Sequence, residues 1–130
     1  MKRHWLVSCL VIVASCNWQN GLTQVSGTVT WRGKPVPLGS VSIEPDAAQG
    51  GRGPQSRNML NRGRYVSRSG FGAVSGPVIV DVEGYGVPEN SELPVPLFPP
   101  YRFRTVIPER SSHTLDIVVP EARASGRESR

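Results

Sequence analysis

Cysteine is scarce in this chain of 130 residues: Cys9 stands inside an N-terminal apolar stretch and Cys16 at its end. A disulfide framework is thereby excluded, so the chain beyond the leader holds together by packing and hydrogen bonds. The longest apolar run, Trp5 to Ala14, has about ten residues, whereas a bilayer-spanning helix takes roughly 20. No run of useful length carries helical periodicity, while Gly 14 and Pro 12 are high for this length. That combination favours many short strands joined by turns. Histidine is nearly missing, with His113 the one residue of its kind beyond the leader. A zinc site, which needs several His or Cys ligands, is not expected, and neither is any other cofactor.

The formal charge is +5, from 15 basic and 10 acidic residues; removing Lys2 and Arg3 with the leader leaves 13 against 10, a net of about +3. The cations beyond the leader are almost all arginine and are scattered. A nucleic-acid partner is therefore not expected, because a dense basic face or recognition motif is missing. Anionic glycans or lipid head groups suit a mildly cationic surface.

Residues 1–15 read as a signal peptide: Lys2 and Arg3 precede the apolar run, which closes in Val13-Ala14-Ser15-Cys16. That ending resembles the lipobox of bacterial lipoproteins, in which small residues precede a cysteine that becomes the lipidated N-terminus. The resemblance implies acylation of Cys16, and two or three acyl chains anchor a protein far more firmly than one. The alternative is an ordinary signal peptide that releases a free domain. Asn17, in place of the aspartate that resembles an inner-membrane retention signal, leans towards an outer membrane or another membrane facing the periplasm. Residues 16–23 then form a tether, 24–120 the folded domain and 121–130 a frayed tail.

Within the domain, Val25, Gly27, Val29 and Trp31 alternate with Ser26, Thr28 and Thr30, the period-two pattern of a strand with one buried face. Arg32-Gly33-Lys34-Pro35 supplies a turn, and a second strand sets Val41 and Ile43 against Ser40, Ser42 and Glu44 as its hairpin partner. Ser56–Leu60 and Arg64–Ser67 flank a second turn, Asn61-Arg62-Gly63, looser than the strict two-residue form. Ser69–Gly76 reads as a turn or bulge. Val78–Glu83 is the clearest strand, with Val78, Val80 and Val82 on one face. Val87–Pro100, with five prolines, reads as a semi-rigid excursion outside the sheet. Tyr101–Ile107 and His113–Val119 complete about seven strands, the count of a single antiparallel β-sandwich of transthyretin-like or immunoglobulin-like type.

Val25-Ser26-Gly27-Thr28-Val29, Gly33-Lys34-Pro35-Val36, Gly39-Ser40-Val41, Gly63-Arg64-Tyr65 and Gly84-Tyr85 follow one another as in the transthyretin-like, or carboxypeptidase regulatory-like, β-sandwich domain. With the lipobox and Pro99-Pro100-Tyr101 before the last strands, residues 13 to 120 resemble small bacterial lipoproteins carrying one such domain. Tyr101-Arg102 departs from the expected Tyr-Asn, and Ser111-Ser112-His113 replaces a glycine turn. One transthyretin-like branch hydrolyses hydroxyisourate through paired histidines, an arginine and a C-terminal Tyr-Arg-Gly-Ser. This chain has His113 alone and ends Gly126-Arg127-Glu128-Ser129-Arg130, so no enzymatic activity is expected.

The candidate binding residues fall in two groups. Arg52, Arg57, Arg62, Arg64 and Arg68 lie in 17 residues without a carboxylate, either a patch for an anionic partner, with Arg62 and Arg64 at its tip, or charged hairpin edges. Tyr85, Phe98, Tyr101 and Phe103 bracket the proline-rich segment, either as a stacking platform for sugar rings or as buried closure of the fold. Asp81 with Glu83 and Glu44 with Asp46 read as a solvated sheet face pairing across strands with arginine, not as converging calcium ligands. The expected role is a non-catalytic, membrane-anchored accessory or interaction module of the cell envelope, facing the periplasm or the cell surface. Its partner would be an envelope protein or a polysaccharide, with a carbohydrate-binding module as the alternative and a hydrolase of the transthyretin-like type as a remote one.

Overall fold

The computed structural model describes residues 21–68 and 70–121; the leader, Cys16, the tether up to residue 20 and the tail from residue 122 lie outside them. Strand β1 (Leu22–Trp31) takes in Leu22 and Thr23, which the sequence assigns to the tether. It ends at Arg32-Gly33, whose φ values of 53° and 73° are those of a two-residue hairpin turn with both central residues left-handed. Trp31 and Thr30 therefore pair with Lys34 and Pro35 of β2 (Lys34–Pro35). Strand β3 (Leu38–Pro45) does not return along β1, contrary to the expected hairpin. Proline at positions 35 and 37 removes ladder donors. The Val36 N–H still donates to the Val29 carbonyl at 3.0 Å, after which the chain leaves β1 altogether.

The same turn recurs between β4 (Ser56–Asn61) and β5 (Arg64–Val66), where Arg62 and Gly63 have φ of 51° and 76° and Asn61 pairs with Arg64. It is thus the strict two-residue form after all. The supposed turn region that follows contains β6 (Ala73–Val74), which pairs with the start of β1. Strand β7 (Gly76–Gly86) is longer than its apolar run and pairs with β3 along eight positions, from Leu38↔Tyr85 to Pro45↔Val78. The proline-rich segment is not wholly outside the sheet, because β8 (Val95–Pro96) pairs with Gly86 and Tyr85. Strand β9 (Tyr101–Ile107) lies antiparallel to β7. The expected last strand is split at Leu115-Asp116 into β10 (Ser112–Thr114) and β11 (Ile117–Val119), both parallel to β1.

These strands form one sheet, with β10 and β11 beside β1, then β5, β4, β3, β7 and finally β9, curled into a half-barrel. The all-β expectation holds; a single 3-10 turn, Ala47–Gln49, is the only helical element among the described residues. The pairing is antiparallel apart from the two parallel contacts of β1. Alternation dictates the core: Val25 and Val29 of β1, Val41 and Ile43 of β3, and Val78, Val80 and Val82 of β7 are all buried within the curl. Phe98 closes one end of it. A Cβ on Gly84 would stand 2.5 Å from the Phe98 ring, so only glycine leaves room for that ring over β7. Phe98 also packs on Trp31, with ring centroids 5.7 Å apart, and the Leu97 N–H donates to the Gly84 carbonyl at 2.9 Å.

The outer face of β3, β7 and β9 carries the expected cross-strand ion pairs. Arg102 reaches Glu44 at 2.7 Å and Asp81 at 3.1 Å, and Arg104 reaches Asp46 at 3.4 Å. Asp46 departs from the expected solvated role: it is buried and caps the 3-10 turn by accepting from the Ala48 N–H.

Candidate functional site

Period-two alternation carried through a two-residue turn puts residues on both arms of a hairpin on the same face. Arg57, Met59 and Asn61 of β4 therefore share the outer face with Arg64 and Val66 of β5 and with Arg68, and every one of them is exposed. The two arms do not stay together. They pair once, at Asn61↔Arg64, and then splay. Between them opens a trough of about 940 Å³, whose walls are β4 on one side and β5 with β1 on the other.

The walls combine cations with exposed apolar side chains. Arg57, Arg64 and Arg68 line the trough, and none of them has a carboxylate within ion-pair distance among the described residues. By contrast, the carboxylates Glu44, Asp46 and Asp81 are drawn to Arg102 and Arg104. Met59, Val66 and Phe71 are exposed by 74%, 61% and 68% and face the same space, far more than a core role would leave. The one acid in the lining, Asp116, is already engaged: its Oδ1 accepts from the Thr28 N–H at 2.9 Å and from the Thr28 hydroxyl at 3.1 Å. Tyr65 lies at the inner side of the opening, and its hydroxyl donates to the Leu115 carbonyl at 2.5 Å. Burial first, and the Asp116 charge second, push that phenol well above its usual range, so it stays protonated. Cations without acidic partners beside a phenol held protonated suit recognition of an anion.

Of the residues singled out from sequence, Arg64 belongs to the trough and Arg62 does not; Arg62 sits at the tip of the turn. Tyr101 is half-buried on β9, stacked on Phe103 with centroids 5.3 Å apart, and both pack against the core. Tyr85 is half-buried on β7, its hydroxyl 3.4 Å from Glu83 Oε2. The aromatic and arginine groups are thus on different parts of the sheet. Sequence reasoning gave Met59, Val66 and Phe71 no role in the site. The signal that finds the first two is the matched alternation of Arg57-x-Met59 and Val66-x-Arg68 about a two-residue turn. Cys16 lies outside the described residues. No helix among those residues is long and apolar enough to cross a membrane. No group of three or more His, Cys, Asp or Glu among them could hold a metal ion. Neither a protein-family model nor a curated protein nor a solved structure matches this chain.

Proposed function

We propose that this chain is a non-catalytic interaction module of the cell envelope, anchored through a lipidated Cys16 and recognising an anionic partner in the trough between β4 and β5. The observation that carries the reading is the segregation of charge. Arginines 102 and 104 pair with the acids of the outer sheet, whereas Arg57, Arg64 and Arg68 surround exposed Met59, Val66 and Phe71 without acidic partners. Unpaired guanidinium groups beside apolar surface form a docking site with both charge and hydrophobic complementarity. The lipobox-like Val13-Ala14-Ser15-Cys16 supplies the anchor and holds the domain at a membrane facing the periplasm or at the cell surface.

Two measurements test this. Replacing Arg57, Arg64 and Arg68 together with Gln is expected to reduce retention on heparin, a generic polyanion, while leaving the thermal unfolding midpoint within a few degrees. Unchanged retention would remove the trough from the account. Cys16→Ser is expected to move the protein from the detergent phase to the aqueous phase, and identical partitioning would remove the anchor.

A further inference from the structure

We infer that the trough takes an extended, acidic segment of a partner protein as an added strand on the free edge of β4. This inference rests on the anion-recognising role proposed above and goes further by fixing the class of ligand and its mode of docking. In a two-residue hairpin the closing pair exchanges both of its backbone hydrogen bonds, so the N–H and C=O of Asn61 face β5. Alternation then aims the backbone groups of Met59 and Arg57 to the same side, while those of Leu60 and Asn58 face β3. Had the hairpin continued in step, Met59 would have met Val66 and Arg57 would have met Arg68. Neither pair forms.

The arm after the turn is drawn to β1 instead. The Ser67 N–H donates to the Val25 carbonyl at 2.8 Å, and the Ser67 hydroxyl oxygen accepts from the Val25 N–H at 2.9 Å. At the far end the Ser56 hydroxyl donates to the Phe71 carbonyl at 3.1 Å, so the opening is bounded at both ends. Between those bounds β4 presents vacant ladder positions at Arg57 and Met59, the template for adding a strand. Short of the paired Asn61, the strand from Ser56 to Leu60 spans about 13 Å, room for a short extended segment.

The side chains specify what that segment carries. Arg57 and Met59 lie two apart on one wall, Val66 and Arg68 two apart on the other, all on the outer face, which matches a ligand strand that presents an acidic and an apolar residue two positions apart on that same face. Vacant backbone positions ask for a peptide more than for a sugar. Phe71 is the one exposed aromatic residue in the lining, and Tyr85 and Tyr101 lie outside it.

The test uses the protein without its leader and these probes: a capped hexapeptide with glutamate and valine in turn at every second position and threonine between them, the same peptide N-methylated at alternate residues in either of the two registers, and an oligogalacturonate of similar charge. The plain peptide is expected to bind, and either the Arg57, Arg64 and Arg68 to Gln variant or N-methylation in at least one register is expected to weaken binding by about tenfold or more. Met59→Pro, which removes one trough-facing donor and keeps all three arginines, is expected to weaken the peptide by a larger factor than it weakens heparin retention. Equal affinity for the plain peptide and both N-methylated registers would overturn the added strand. So would arginine-dependent binding of the oligogalacturonate without binding of the peptide, although that outcome would leave the anion-recognising role standing. Loss of arginine-dependent heparin retention would bring down both.

Discussion

Tyr65 of β5 reaches across β1 at Gly27 and donates its hydroxyl to the carbonyl of Leu115, 2.5 Å away, in the break between β10 and β11. Gly27 pairs with Tyr65 in register, and a Cβ at Gly27 would collide with that same carbonyl. The contact thus couples three strands at a point where no side chain on β1 could fit, a phenol covering a glycine in the neighbouring strand.

A pH dependence follows from this contact. The Tyr65 phenol is raised above its ordinary value of 10.0, by burial and then by Asp116. The folded state holds its proton to higher pH than the unfolded chain does, so the stabilisation is complete below about pH 10 and is lost as pH rises beyond it. Tyr65→Phe is expected to cost about 1–2 kcal/mol near neutral pH, by leaving the Leu115 carbonyl without its donor. It should also flatten the fall in stability between about pH 10 and pH 12 relative to the unsubstituted chain. Urea unfolding midpoints of the two proteins across that range check both statements, and parallel curves would show that Tyr65 does not titrate with unfolding.

The two Arg-Gly turns offer a second check. Arg32 and Arg62 adopt φ of 53° and 51°, a region that costs energy for arginine and much less for asparagine. Arg62→Asn should therefore stabilise the fold by about 0.5–1 kcal/mol, read from the urea midpoint. Arg32→Asn should gain less, because Arg32 also lies over the Trp31 ring at 4.4 Å and approaches Glu121 at 3.5 Å. Equal gains at the two positions would show that those contacts contribute nothing.

Local pattern was legible in the sequence wherever one face of a strand is buried. Val78, Val80 and Val82 announced β7, and the alternation of Tyr101 to Val106 announced β9 with its arginines outward. Pairing was not legible, because nothing in Val41 or Ile43 says whether β3 lies beside β1 or beside β7. Two prolines in the connection take it away from β1. The short strands β6 and β8 were hidden for a different reason: two residues carry no period, and each exists only because β1 or β7 offers an edge. The trough was half legible. The arginine-rich span was visible, but the splaying that opens it depends on Ser67 binding Val25, a contact between residues 42 apart in sequence.

The proline-rich segment is held by the short β8 pairing, by the Leu97 N–H on the Gly84 carbonyl and by the one large buried side chain among them, Phe98. Phe98 fills the space above Gly84 and contacts Trp31, while Val87, Leu93 and Val95 around it are exposed. Phe98→Ala removes that anchor and is expected to cost about 3–5 kcal/mol. The larger effect is local: residues 87–97 should become cleavable by a broad-specificity protease under conditions where the rest of the chain resists. Cleavage only in step with global unfolding would mean that the segment is held by β8 pairing and its own stiffness instead.

The last prediction concerns the conflict between binding and stability in the trough. Arg57 and Arg68 occupy the positions that a continued hairpin would place opposite one another, and like charges across a strand pair oppose closure. Arg68→Glu exchanges that repulsion for attraction. The variant is expected to gain about 0.2–1 kcal/mol as the arms close, a gain that shrinks at high ionic strength because both groups are exposed. Heparin retention should fall more than the loss of a single cation explains, since closure also removes the space between the arms. Comparing Arg68→Glu with Arg68→Gln separates the two effects: the glutamine variant loses the charge and keeps the trough. If both variants retain heparin equally and unfold at the same urea concentration, repulsion between the arms is not what keeps β4 and β5 apart, and the Ser67 contacts with Val25 hold the opening by themselves.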